Sequence, residues 1–152
     1  MIRNFALVSV LAWACSAAAA DGTWNWDRKW ALAEDWQLAG YMEFSTGGWQ
    51  GTERVAAVAA LPVFRIERSY SAVVPYFEGG MGLSLLSQVE AASGRPASSR
   101  LQIGDHIGVG MRFGEQRRHE IGLRLQHLSD GGVARPNPGM SFGLVRYQYS
   151  FE

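Results

Sequence analysis

The chain has 152 residues, with 14 basic and 14 acidic side chains and a formal net charge of zero. That balance offers no basic excess for nucleic acid, and a single cysteine, Cys15, leaves nothing to form an internal disulfide. The first twenty residues carry one early charge, Arg3, then an apolar stretch, FALVSVLAWAC, then a run of small residues ending at Ala20. This predicts a secretory signal peptide over 1–20, cleaved between Ala20 and Asp21, with Cys15 lost alongside it. The rest, 21–152, is one domain's worth of chain and contains no apolar run long enough for a transmembrane helix.

After Asp21 the apolar residues fall mostly into short runs of period two. They predict seven strands, at 23–31, 38–46, 53–66, 73–86, 101–113, 119–129 and 141–151. Glycines inside GGMG and IGVGM argue against helices there, since each costs about 1 kcal/mol in a helix interior. One stretch, RKWALAEDWQLA, suits a short helical turn. In 101–113 the odd positions Leu101, Ile103, Ile107, Val109, Met111 and Phe113 are apolar, interrupted by Asp105. In 119–129 the odd face holds Ile121, Leu123, Leu125, His127 and Ser129; the even face holds Arg124 and Gln126. Two all-β architectures fit. A soluble lipocalin-like barrel turns its apolar faces inward. An antiparallel outer-membrane β-barrel turns them toward lipid and keeps Arg112, Arg124, Gln126, Arg146 and Gln148 inside. Strand lengths, the tight GEQRR connection against the ten-residue loop 130–139, and the closing Tyr147, Tyr149 and Phe151 favour the membrane barrel.

On that reading His127 and Ser129 share the lipid-facing side, because i and i+2 project together from a strand. A serine within reach of an imidazole can be a nucleophile with its general base; two polar side chains at headgroup level is the plainer alternative. A regular hairpin turning near Gln116 would set Asp105 directly opposite His127, so the one charge on the apolar face of 101–113 would neighbour that histidine. A carboxylate in an apolar stripe is costly unless paired. His106 falls on the polar inner face, where it is expected in a satisfied network, and His119 falls at a turn. Neither has a second histidine or a cysteine nearby, so no metal or cofactor is implied.

The segments IGVGMRF, HEIGLRLQHLSDGGVARPNPG and LVRYQYSF resemble the C-terminal half of the PagL lipid A deacylase family, and WNWDRKW and PYFEGGMGLSLL are similar to that family's earlier strands. The resemblance implies an eight-stranded outer-membrane barrel. It also implies an ester hydrolase that removes the 3-O-linked acyl chain from lipid A of lipopolysaccharide through a Ser-His-Glu triad on the membrane-facing surface. His127 matches the family's histidine and Ser129 its nucleophile; Asp130 stands where an asparagine is usual, and Ser141 stands where the glutamate is expected. Asp105 is the predicted replacement acid, with Asp130 a second candidate and the N–H groups of Gly131 and Gly132 as oxyanion donors. Two other readings stay open: a non-catalytic small barrel that has lost the triad, and a soluble periplasmic lipid-binding barrel. A homodimer is also left open. An eighth strand is missing from the count, because almost no chain remains ahead of WNWDRKW after cleavage.

Overall fold

Period-two alternation decides the architecture. The computed structural model describes residues 6–12, 18–50, 54–68, 71–87, 99–132 and 139–151. They form one antiparallel sheet of β1 (Ala6–Ala12), β2 (Ala18–Asn25), β3 (Trp30–Ala33), β4 (Trp36–Gln50), β5 (Arg54–Arg68), β6 (Val74–Leu86), β7 (Leu101–Phe113), β8 (His119–Ser129) and β9 (Met140–Ser150). From β4 to β9 each strand pairs with the next; β1 pairs with β9, β2 pairs with β4, and β1 lies against β2. The sheet therefore closes into a barrel. Both β2 and β3 run along β4, at Tyr41–Gly48 and Trp36–Leu38 respectively, so together they fill one of eight positions. The predicted strand at 23–31 is thus broken at 26–29, and the helical turn expected near 28–39 is instead a tight β3–β4 hairpin.

The eighth strand comes from an unexpected place. Ala6–Ala12, inside the segment read as a leader, pairs with Leu144–Ser150. A chain cut after Ala20 would lack β1 and the first three residues of β2.

Connections at 34–35, 69–73 and 114–118 are short, the last built on a 3-10 turn at Glu115–Arg117; the strand ends joined by the longer stretches 87–100 and 130–139 are at the other end. Near the short-turn end, Phe113, His119, Tyr149 and Phe151 make successive ring contacts, and His119 Nδ1 is 2.7 Å from the Tyr147 hydroxyl. This is an aromatic girdle at one interface. His119, expected at a turn, is the first residue of β8.

The interior is polar, which overturns the lipocalin-like alternative. Glu43, Glu78 and Glu120 are buried with Arg65, Arg124 and Arg146, three carboxylates against three guanidiniums. Arg124 grips Glu43 through two hydrogen bonds of 2.7 and 2.9 Å and reaches Glu78 at 2.9 Å. Arg65 donates to Glu78 at 2.7 Å and to Glu120 at 2.8 Å, and lies 3.9 Å from the centre of the Tyr76 ring. Arg112 pairs with Glu67 nearer the short-turn end. Outside, Phe77, Leu83, Ile107, Val109, Leu123, Leu125 and Val145 are exposed, as a lipid-facing belt requires. The glycines of IGVGM now have a reason. Gly110 faces Gly122 across β7–β8, and a Cβ on either would collide with the Tyr76 hydroxyl that donates to Glu120.

His106 departs from expectation. It is buried, yet neither ring nitrogen hydrogen-bonds to a described residue. Its nearest carboxylate oxygen, on Glu78, is 4.0 Å away, and that carboxylate already serves Tyr41, Arg65 and Arg124.

Candidate active site on the lipid-facing surface

The β7–β8 hairpin has the predicted register: Asp105 pairs with His127, and Ile103 with Ser129. On the other side of β8, His127 pairs with Ser141 of β9. Directly paired residues project to one face, so Asp105, His127 and Ser141 form a polar row across three strands of an apolar outer surface. All three line a depression of about 380 Å³ together with Ile107, Leu125, Phe142 and Gly143. Ser129 does not line it; it lies on the same face one pleat nearer the long loop, partly exposed, with no hydrogen bond to His127.

His127 Nδ1 is 2.9 Å from Ser141 Oγ. The nitrogen that a triad acid would engage is therefore occupied from β9. The orienting hydrogen bond expected from Asp105 on β7 is not the one formed, although Asp105 is the cross-strand partner of His127 and lines the same depression. Asp105 makes no ion pair among the described residues, and it is the one charge within the lipid-facing row of β7.

The loop after β8 also differs from expectation. Asp130 is buried, and its Oδ1 accepts the Gly132 N–H at 2.8 Å, a local Asx-type turn. That commits the Gly132 N–H to the turn. The Asp130 carboxylate is thus engaged within its own turn. Of the Pro-Asn-x-Gly motif at 136–139, only Gly139 lies within the described residues. There φ is +57°, and a Cβ would fall 2.7 Å from His127 Cε1 and 3.0 Å from Nε2. Gly139 thus brings main chain against the edge of the imidazole as only glycine can.

A larger groove, about 1010 Å³, continues from the depression along the outer surface, sharing Ile107, Leu125 and Gly143 and adding Phe77, Val109, Leu123 and Val145. Gly143 opens it: a Cβ there would touch only Leu125, at 4.0 Å. Sequence reading missed the Ser141 contact, the Gly139 approach and the groove. The available signal was parity, since Ser141 and Gly143 occupy lipid-facing positions where bulky apolar residues are usual.

The chain matches the family model for PagL, lipid A 3-O-deacylase, over residues 16–150. It is 30% identical over 129 residues to the lipid A deacylase PagL of Pseudomonas aeruginosa, covering 83% of this chain and 73% of that protein. It is 37% identical over 93 residues to the lipid A deacylase PagL of Bordetella bronchiseptica, covering 61% of this chain and 49% of that one. Its fold superposes on the crystal structure of the outer membrane enzyme PagL with a TM-score of 0.86 at 23% identity, over 96% of this chain and 99% of the other. A closed eight-position barrel with a polar interior, a histidine on its lipid-facing surface and a family match across nearly the whole barrel lead to one conclusion: this chain belongs to the PagL family of lipid A 3-O-deacylases.

Proposed function

We propose that this protein is an outer-membrane ester hydrolase that removes the 3-O-linked acyl chain from lipid A, with Ser129 as nucleophile and His127 as general base. The observation that carries this reading is an imidazole on the lipid-facing surface, near the long-loop end of β8, in a barrel of the deacylase family. The long-loop end of such barrels faces outward. An acylated glycolipid of the outer leaflet can then reach the site sideways, from within the membrane.

The steps follow from the chemistry. Ser129 Oγ attacks the ester carbonyl as His127 Nε2 takes its proton. The tetrahedral oxyanion is met by backbone donors such as the Gly131 N–H. His127 then protonates the departing sugar oxygen, leaving the acyl group on Ser129. Water, deprotonated by the same imidazole, releases the free fatty acid and restores the serine. The groove floored by Gly143 gives the acyl chain an apolar bed.

The test is the mass of lipid A from Gram-negative cells with and without the folded protein. Loss of one 3-O-acyl chain is the expected result. Unchanged lipid A in cells holding heat-modifiable, folded barrel would favour the non-catalytic reading, whose supporting observation is Ser141 in the place of the family's glutamate.

Gly139→Ala provides a second check. The new Cβ must displace the ring edge or the backbone, and misplacement of a catalytic group by about 1 Å can cost about 10² in rate. A drop of that order, with the folded gel band retained, is expected. Unaltered turnover would show that the close approach has no bearing on the imidazole.

A further inference from the structure

Resting on that functional reading, we infer that the two tasks of the triad acid are divided here between the two strands that flank β8: Ser141 on β9 orients the His127 ring, and Asp105 on β7 supplies the negative charge. In a Ser-His-acid site one carboxylate does both. It holds the Nδ1–H, which fixes the tautomer, and it stabilises the imidazolium that forms during attack. Here the Nδ1 contact belongs to a neutral hydroxyl at 2.9 Å. Among the described residues, the only carboxylate in the same row is that of Asp105, paired with His127 from the opposite side of β8.

The physical consequence is specific. A carboxylate is acceptor-only, whereas a serine hydroxyl can accept from Nδ1–H or donate to a bare Nδ1. Only the first arrangement leaves a lone pair on Nε2 for Ser129. An ionised Asp105 would favour the protonated ring in the transition state, and the Ile107 and Leu125 side chains that line the depression with it limit the screening of that charge. In this division Ser141 and Asp105 are both positioning residues, acting on the ester through His127.

Two measurements test the division. Nitrogen-15 NMR of histidine-labelled, micelle-solubilised protein should show His127 with Nδ1 protonated and Nε2 bare, and Ser141→Ala should shift the Nδ1 resonance. This readout does not depend on turnover, so it judges the assignment even if hydrolysis of lipid A is never observed. An Nε2-protonated ring in the unsubstituted protein, or an unmoved Nδ1 signal in Ser141→Ala, overturns the proposal. The second measurement is a double-mutant cycle on kcat. Asp105→Asn should lower kcat by about 10² with KM unchanged, and Ser141→Ala by about tenfold, with Ser141→Thr keeping most of the rate. Ser141→Glu reunites orientation and charge, so in that background Asp105→Asn should cost less than about threefold. An equal loss from Asp105→Asn in both backgrounds overturns the shared role.

Discussion

Alanine at His127 or at Ser129 should reduce hydrolysis of lipid A by about 10⁴–10⁶, the scale at which removal of one member of a catalytic unit abolishes its joint action. Each substitution alone should cost nearly as much as both, because a nucleophile without its base and a base without its nucleophile are equally idle. The barrel should stay folded. Both side chains are only partly buried on the outer face, and neither belongs to the interior ion-pair network. His127→Ala loses one neutral hydrogen bond, to Ser141, for about 1 kcal/mol. Turnover on purified lipopolysaccharide, read beside the heat-modified gel shift of the same samples, separates chemistry from folding. Persistence of deacylation in Ser129→Ala would move the nucleophile elsewhere, and Ser141, already hydrogen-bonded to the imidazole, is where it would move.

Much of this site was legible in the sequence, and the limits have physical causes. The β7–β8 register could be counted from residue numbers because a tight turn leaves a hairpin almost no freedom to slip. Asp105 beside His127 followed from that alone. The β8–β9 register could not be counted in the same way: a ten-residue connection fixes no pairing, so Ser141 showed only as a missing glutamate and its contact with Nδ1 stayed hidden. Inner and outer faces were readable from parity, and Arg124 and Arg146 do lie inside. Which carboxylates they meet was not readable, since Arg124 and Glu43 are 81 positions apart and come together only when the barrel closes. The strand at Ala6–Ala12 lies inside the segment expected as a leader, because an apolar run beside small residues satisfies both patterns and local pattern cannot choose between them.

The largest effect on stability should come from the centre of the barrel, at Glu78. Its carboxylate accepts from the Tyr41 hydroxyl at 2.8 Å, from Arg65 at 2.7 Å and from Arg124 at 2.9 Å, while Arg146 stands 3.7 Å away. Glu78→Ala would leave two buried carboxylates facing three buried guanidiniums, and would strip donors on three side chains of their acceptor. Removing one partner of a buried ion pair typically costs 3–5 kcal/mol, because the remaining charge stays desolvated. The expected result is a loss of about that size in urea unfolding from lipid bilayers, with a lower temperature for the gel-shift transition. Leu123→Ala is the control. It removes a comparable side chain from the lipid-facing surface, where the lost contacts are with lipid that can refill the space, so it should cost far less. Glu78→Gln should fall between the two, keeping an oxygen for Arg124 or Arg65 while losing the charge. If Glu78→Ala unfolds within about 1 kcal/mol of the unsubstituted barrel, water inside the barrel is solvating the guanidiniums, and the network contributes order to the interior rather than stability.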